Sequence, residues 1–244
     1  VIKVIINADD FGYSRGANYG ILDTFLEGAL TSTTLLANMP ATSHAIELAK
    51  KHKGLGVGVH LTLTCGRPLC DDTSSLTDHT GAFRAYDWYA RGNRPEAAEV
   101  EKEWRAQIEK IKDAGVEPTH LDTHHHINRF EPMRTVMVEL ARFYGLPVRN
   151  NFSMPEAGDL RTTDLFVDDP RILLEDREKI KARFKDAGSV EIMCHPAYLD
   201  KPLLDRSDYT YNRTEEAEGL MLAALREKLS VKNGFKLISY HGLE

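Results

Sequence analysis

Val1-Ile2-Lys3-Val4-Ile5-Ile6-Asn7-Ala8-Asp9-Asp10-Phe11-Gly12 opens the chain. An apolar, β-branched run of this kind reads as a buried strand over Val1–Asn7. An open doubly wound sheet that bound a dinucleotide would place a glycine-rich phosphate turn directly after such a strand. Two carboxylates stand there instead. Beyond this first strand, short apolar runs at Ser32–Ala37, Leu55–Leu63, Thr119–Thr123, Pro147–Arg149, Val190–Cys194 and Lys236–Ser239 predict six more strands. Helical patterns lie between them, near Arg15–Glu27, Thr42–Lys51, Pro95–Ala114, Glu131–Tyr144, Arg171–Ala187 and Thr214–Lys232. Met133, Val136, Met137, Leu140, Ala141 and Tyr144 recur at the spacing of one buried helical stripe.

Each predicted helix is followed within a few residues by a glycine: Gly28, Gly54, Gly115, Gly145, Gly188 and Gly234. Glycine favours that place because it accepts a left-handed backbone. The connections into the next strand are short, whereas Thr64–Arg94, Asn150–Pro170 and Pro196–Arg213 are long and irregular. This asymmetry puts the elaboration at the carboxyl ends of the strands, the rim where α/β active sites lie. Strict alternation predicts a parallel sheet with helical crossovers. Seven strands predict an irregular, incomplete (β/α) barrel rather than a regular eightfold one.

The chain has 244 residues, close to the roughly 250 of a single α/β barrel. No linker or repeat divides it, so residues 1–244 read as one catalytic domain. With 42% hydrophobic and 28% charged residues it has the composition of a globular protein. Its 31 basic residues against 37 acidic ones, a net charge of −6 without a basic run, predict no nucleic-acid or anionic-membrane partner. Cys65, Cys70 and Cys194 are too few for a disulfide framework. The apolar run Val1–Ile6 is too short for a signal peptide. A reducing cytoplasm is the expected compartment, and a homodimer is left open.

Asp9 and Asp10 could be a turn or capping pair. At the end of a strand on the active rim, one could instead bind a metal while the other stays free as a base. Gly56, Gly58 and His60 share one face of the third strand, where the glycines leave room and His60 sits near the mouth. Thr119-His120-Leu121-Asp122-Thr123-His124-His125-His126 places His120, Asp122 and His124 on one face of the fourth. An Asp and several His at a parallel strand end form a metal signal, and an Asp-His-His set leaves positions open for water and substrate. His195, at the end of the sixth strand, could be a partly buried strand-end residue or a general acid. Arg149 could be a surface charge or the partner that keeps a catalytic carboxylate ionised. Cys194 reads as core. Phe83, Tyr86, Trp88 and Tyr89 either pack down their loop or offer flat faces to sugar rings.

Asn7–Gly12, Thr31-Ser32-Thr33-Thr34, Gly58-Val59-His60-Leu61, Thr119–His126 and Glu191-Ile192-Met193-Cys194-His195-Pro196 together resemble the YdjC-like (ChbG-type) carbohydrate deacetylases. The motifs occur in order across most of the chain, although 71–94 and 151–169 carry little of the match. The resemblance implies an irregular seven-stranded (β/α) barrel like that of the polysaccharide deacetylases. It implies one divalent metal ion on Asp10, His60 and His124, with Asp9 as base, His195 as acid and Arg149 orienting Asp9. Either His125 or His126 could replace His124 if the strand ends differently. The ion implied is Mg2+, though an Asp-His-His set suits Zn2+ at least as well. The substrate implied is a small carbohydrate, an N-acetylated chitobiose-like di- or oligosaccharide with or without a phosphate. A metal-dependent sugar isomerase or epimerase, and a non-catalytic sugar-binding barrel, are the rival readings.

Overall fold

The computed structural model describes residues 1–151 and 158–243. Ile2–Phe11 forms β1, the strand on which the sheet is built, and all but its first two residues are buried. In chain order follow α1 (Arg15–Leu26), β2 (Ser32–Leu35), α2 (Thr42–Lys51), β3 (Gly56–Leu61), α3 (Tyr86–Ala90), α4 (Ala97–Asp113), β4 (Leu121–Thr123) and α5 (Met133–Tyr144). Then come β5 (Leu165–Val167), α6 (Arg177–Phe184), β6 (Ser189–Cys194), α7 (Lys201–Arg206), α8 (Tyr211–Leu220), α9 (Ala223–Lys228) and β7 (Phe235–Leu237). The sheet order is β4-β3-β2-β1-β6-β5, with β7 paired to the start of β1, and every pairing is parallel. Parallel strands buried on both faces require helical crossovers. The result is the expected irregular seven-stranded α/β arrangement, closing as a half-barrel.

Two strand expectations need correction. Pro147–Arg149 makes only a single bridge, Leu121 to Val148. Pro147 has no N–H to donate to a ladder, so its carbonyl accepts from Leu121 N while Arg149 N donates to Leu121 O. The fifth strand proper is Leu165–Val167, inside the stretch expected to be an irregular connection, of which 152–157 lie outside the described residues. Its three residues are all half-buried, so neither an apolar run nor an alternation marks it.

Two long helical patterns are also broken. Arg171–Ala187 becomes a 3-10 turn at Pro170–Leu174 followed by α6, and the Lys228 ammonium donates to the Leu173 and Glu175 carbonyls at the break. Thr214–Lys232 divides into α8 and α9 at Met221-Leu222. Of the six helix-following glycines, only Gly115, Gly145 and Gly234 take a positive φ. The buried stripe of α5 forms as expected, with Met133, Val136, Met137, Leu140 and Ala141 facing the core. Phe83 and Tyr89 pack inward, the Tyr89 hydroxyl donating to Leu63 O at 3.0 Å, which supports the loop-packing reading of those two aromatics. Among the described residues no helix is long and apolar enough to cross a membrane.

Candidate metal and acid–base site

The carboxyl end of β1 is where backbone geometry makes chemistry. Pairing with β2 advances three residues on β1, Ala8 to Phe11, against two on β2, Thr33 to Leu35. The extra residue is a bulge, and Asp10 there has a φ of 71°. A bulge re-aims side chains that strict alternation would send to opposite faces. Asp9 and Asp10 consequently both reach His60, with Asp9 Oδ2 3.9 Å and Asp10 Oδ1 3.5 Å from its Nε2.

His60 comes from the glycine face of β3, as the alternation predicts. Gly58 is required there, because a Cβ would stand 2.5 Å from the His120 ring. That ring stacks on Tyr240 with centroids 3.6 Å apart, so His120 is a buried structural histidine. Asp122, two residues on, accepts from His60 Nδ1 at 2.7 Å. This bond holds the imidazole with Nε2 turned toward Asp10, a common second partner for a metal-binding histidine.

The fourth strand stops at Thr123, and His125 and His126 take left-handed conformations, with φ of 56° and 52°. His124 remains at the strand end, with Nδ1 3.1 Å from Asp10 Oδ1 and 3.2 Å from His60 Nε2. His125 turns instead to Thr64 Oγ1 at 3.0 Å and His126 to Asn151 at 2.9 Å. Asp10, His60 and His124 are thus brought together, all buried.

These three fit a divalent cation. Asp10 Oδ1 is buried without a hydrogen-bond partner. A buried carboxylate oxygen is costly unless something compensates it, and an oxygen with two imidazole nitrogens is a donor set suited to a transition-type ion. Asp9, His60 and Asp122 form a second converging group. There the carboxylates are already compensated, since Arg149 Nη2 lies 2.6 Å from Asp9 Oδ1 and 2.9 Å from Asp122 Oδ2.

Arg149 is completely buried, so its surface-charge reading is excluded. It donates to both oxygens of Asp9, at 2.8 and 2.6 Å, and through Nε to Glu191 at 2.9 Å. The Tyr240 hydroxyl donates to the other Glu191 oxygen at 2.6 Å. Burial alone would raise the Asp9 carboxyl, but the Arg149 guanidinium outweighs it and holds Asp9 well below the usual carboxylate range. Asp10 behaves alike, with burial opposed by Arg213 and, together with it, by His124 and His60, so that its carboxyl also lies well below the usual range.

His195 Nε2 lies 4.0 Å from Asp9 Oδ2, and its side chain is 23% exposed. Burial lowers its imidazole below the ordinary value, while Asp9 and Asp10 pull the other way. A cavity of about 610 Å³ is lined by Asp9, Asp10, His60, His124 and His195. Cys194 is buried beneath, donating to Asn7 O at 3.3 Å, which agrees with a core role. Of the loop aromatics, Tyr86 approaches the site region, 6.0 Å from the His125 ring.

Sequence reasoning misses two residues of α8. Arg213 Nη2 donates to Asp10 Oδ2 at 2.8 Å. Glu216, three residues further along the helix, accepts the His195 backbone N–H and the Tyr209 hydroxyl. The sequence reading begins this helix at Thr214 and leaves Arg213 in the irregular connection before it, so their i, i+3 spacing on one helix emerges only with the observed start at Tyr211.

A "Carbohydrate deacetylase" of Halalkalibacterium halodurans is 44% identical over 239 residues, covering 94% of this chain and 100% of that protein. Another of the same name, from Geobacillus stearothermophilus, is 43% identical and covers 97% of this chain and 96% of that protein. The crystal structure of an Enterococcus faecalis protein, proposed to cleave cellobiose phosphate, superposes with a TM-score of 0.87 at 32% identity, covering 99% of this chain and 98% of that one. A carbohydrate esterase of family 4 from Streptococcus mutans shares the fold with a TM-score of 0.51 at 12% identity, covering 97% and 84%. Residues 3–231 match the family described as YdjC-like protein, and the chain belongs to that family.

Proposed function

We propose that this chain is a metal-dependent carbohydrate deacetylase that hydrolyses the N-acetyl group of an amino sugar. The observation that carries the reading is the placement, in one cavity, of a cation-competent Asp10–His60–His124 set beside an ionised Asp9 and a partly exposed His195. The relatives named carbohydrate deacetylases support it at 43–44% identity over nearly the whole chain.

Asp10, His60 and His124 would hold a divalent ion, which supplies Lewis-acid chemistry when bound. Zn2+ suits this donor set by ligand preference, and Mg2+ is the ion that family resemblance suggests. Asp9 is the general base: held ionised by Arg149, it accepts a proton from the attacking water. The water oxygen forms its bond to the acetyl carbon, and the C–N bond then breaks. His195 carries the proton taken up by Asp9, 4.0 Å away, to the departing nitrogen, so the products are acetate and a free amine. Arg149 keeps both Asp9 oxygens aligned.

A chitobiose-like N-acetylated di- or oligosaccharide is the substrate class we favour. We read residues 1–244 as one catalytic domain working in a reducing cytoplasm, which suits its free Cys65, Cys70 and Cys194. The test is an acetate-release screen over N-acetylated mono-, di- and oligosaccharides, using metal-stripped protein reloaded with defined ions. Acetate release that depends on added ion bears the reading out. An isomerised sugar without acetate, or binding without turnover, overturns it.

A further inference from the structure

The proposed chemistry gives the cleft a direction. If the acetyl carbonyl faces Asp10, His60 and His124, and His195 protonates the nitrogen, the sugar attached to that nitrogen must lie on the His195 side. Tyr209 stands there, its ring 5.5 Å from that of His195 and 40% exposed. Past it lies a second cavity of about 570 Å³, between the Pro170–Leu174 turn and α8. Asp168 and Tyr209 line both cavities, so the two adjoin at these side chains. We propose that this second cavity is a subsite for further sugar residues of an oligosaccharide whose N-acetyl group sits at Asp9, Asp10 and His195.

The walls suit a pyranose. Leu173 is buried in one wall and Leu174 is 55% exposed, offering apolar surface to the C–H face of a ring. The exposed Asn212 and Glu215 side chains of α8 supply polar groups for the hydroxyls around its edge. Asp168, Asp169, Arg171 and Glu216 add charged groups to the lining, which suits a polyhydroxylated ligand, and the volume falls within the roughly 300 to 1,000 Å³ usual for a ligand pocket. Gly219 keeps the wall open. It lies within α8, where glycine weakens the helix, yet a Cβ at this position would make only ordinary contact with Leu174 Cδ2, at 3.5 Å. A larger side chain at 219 would therefore project into the cavity without strain in the backbone.

The subsite rests on the deacetylase reading for its direction, so the test separates the two. Acetate release from the metal-loaded protein is measured with N-acetylglucosamine and its β-1,4-linked di-, tri- and tetramers. Calorimetry with glucosamine and its fully deacetylated tetramer reports binding without turnover. The wild type should favour the tetramer over the monomer by roughly tenfold or more in both assays, the scale of one added ring contact. Gly219→Leu should bring that ratio close to one by filling the cavity. Leu174→Ser, at an exposed position where folding is not in question, should reduce it in the same direction. No length preference in the wild type, or a preference that survives Gly219→Leu, overturns the subsite. Tighter tetramer binding that Gly219→Leu abolishes, without acetate release from any sugar, keeps the subsite and overturns the reaction.

Discussion

Arg213 Nη2 donates to Asp10 Oδ2 at 2.8 Å, while Oδ1 of the same carboxylate has no hydrogen-bond partner and faces His60 and His124. One oxygen is thereby committed to an arginine, and the other is the one that the proposed cation would take. Arg213 is itself fixed, because its Nε donates to the Tyr209 carbonyl at 2.7 Å and its own carbonyl accepts from Ala197 N. The orientation of a candidate ligand from the first strand is thus set by a helix near the other end of the chain.

Arg213→Gln should therefore weaken metal binding by roughly 10–100-fold, the usual cost of losing a group that orients a ligand. Arg213→Lys should recover part of that loss, since it restores the charge without the same reach. Competition against a chelating dye measures both. Unchanged affinity in Arg213→Gln would show that Asp10 needs no such restraint or is not a ligand.

Arg149 compensates three buried carboxylates at once, those of Asp9, Asp122 and Glu191. Arg149→Met should cost about 3–5 kcal/mol of stability, the range for removing one partner from a buried ionic group. Asp9→Asn should cost less, because Arg149 retains two carboxylates. That variant should keep its metal and lose turnover by roughly 10²–10⁴-fold, as expected for a missing general base. Urea unfolding and elemental analysis after dialysis give the readings. Loss of metal in Asp9→Asn would mean that the two aspartates exchange or share their roles.

Asp9, Asp10, His60, His124 and His195 are legible in the sequence because each is a ligating or titratable type at the end of an apolar strand. What alternation does not show is that the bulge at Asp10 turns neighbouring carboxylates toward the same histidine. Arg213 and Glu216 are illegible for a different reason. Arg213 reaches Asp10 across 203 residues of chain, Glu216 meets a backbone N–H rather than a side chain, and on a surface helix any arginine or glutamate looks alike until its neighbour is known. Arg149 is legible only in part: its proximity to Asp9 follows from the rim, but its complete burial among three carboxylates does not. The strand Leu165–Val167 is missed because three half-buried residues at the end of the β4-β3-β2-β1-β6-β5 path present no pattern to read.

His60 makes the metal-free protein sensitive to alkali. Burial works against its proton, but Asp122 at 2.7 Å, with Asp9 and Asp10 nearby, overcomes it and pushes the imidazole up to about 9. An unfolded histidine loses its proton near pH 6.5. The folded state thus holds the proton more tightly, and the stability this confers is complete below about pH 6.5 and decays as pH rises to about 9. Metal-free wild type should lose urea resistance across that window, and His60→Asn should lose much less. Metal affinity should climb over the same range, since the cation must displace that proton. A wild-type stability that is flat between pH 6.5 and 9 would contradict the assignment.

His195 is tested by the leaving group. An amine leaves a tetrahedral intermediate readily only when protonated, whereas an activated ester releases an anion that needs no proton. His195 Nε2 is 4.0 Å from Asp9 Oδ2 and its backbone is pinned by Glu216; on the proposed reading the imidazole serves the leaving group while Asp9 serves the water. His195→Ala should keep its metal and lose N-acetyl hydrolysis by roughly 10²–10⁴-fold. Its activity toward an aryl acetate should fall far less. Glu216→Gln retains a hydrogen-bonding side chain but removes its charge, and should give a milder loss with the same preference for ester over amide. The kcat/KM values for both substrates, measured on both variants at fixed metal loading, decide the matter. Equal losses on amide and ester would instead make His195 a group that stabilises the oxyanion or positions the sugar, because neither of those roles depends on whether the leaving group needs a proton.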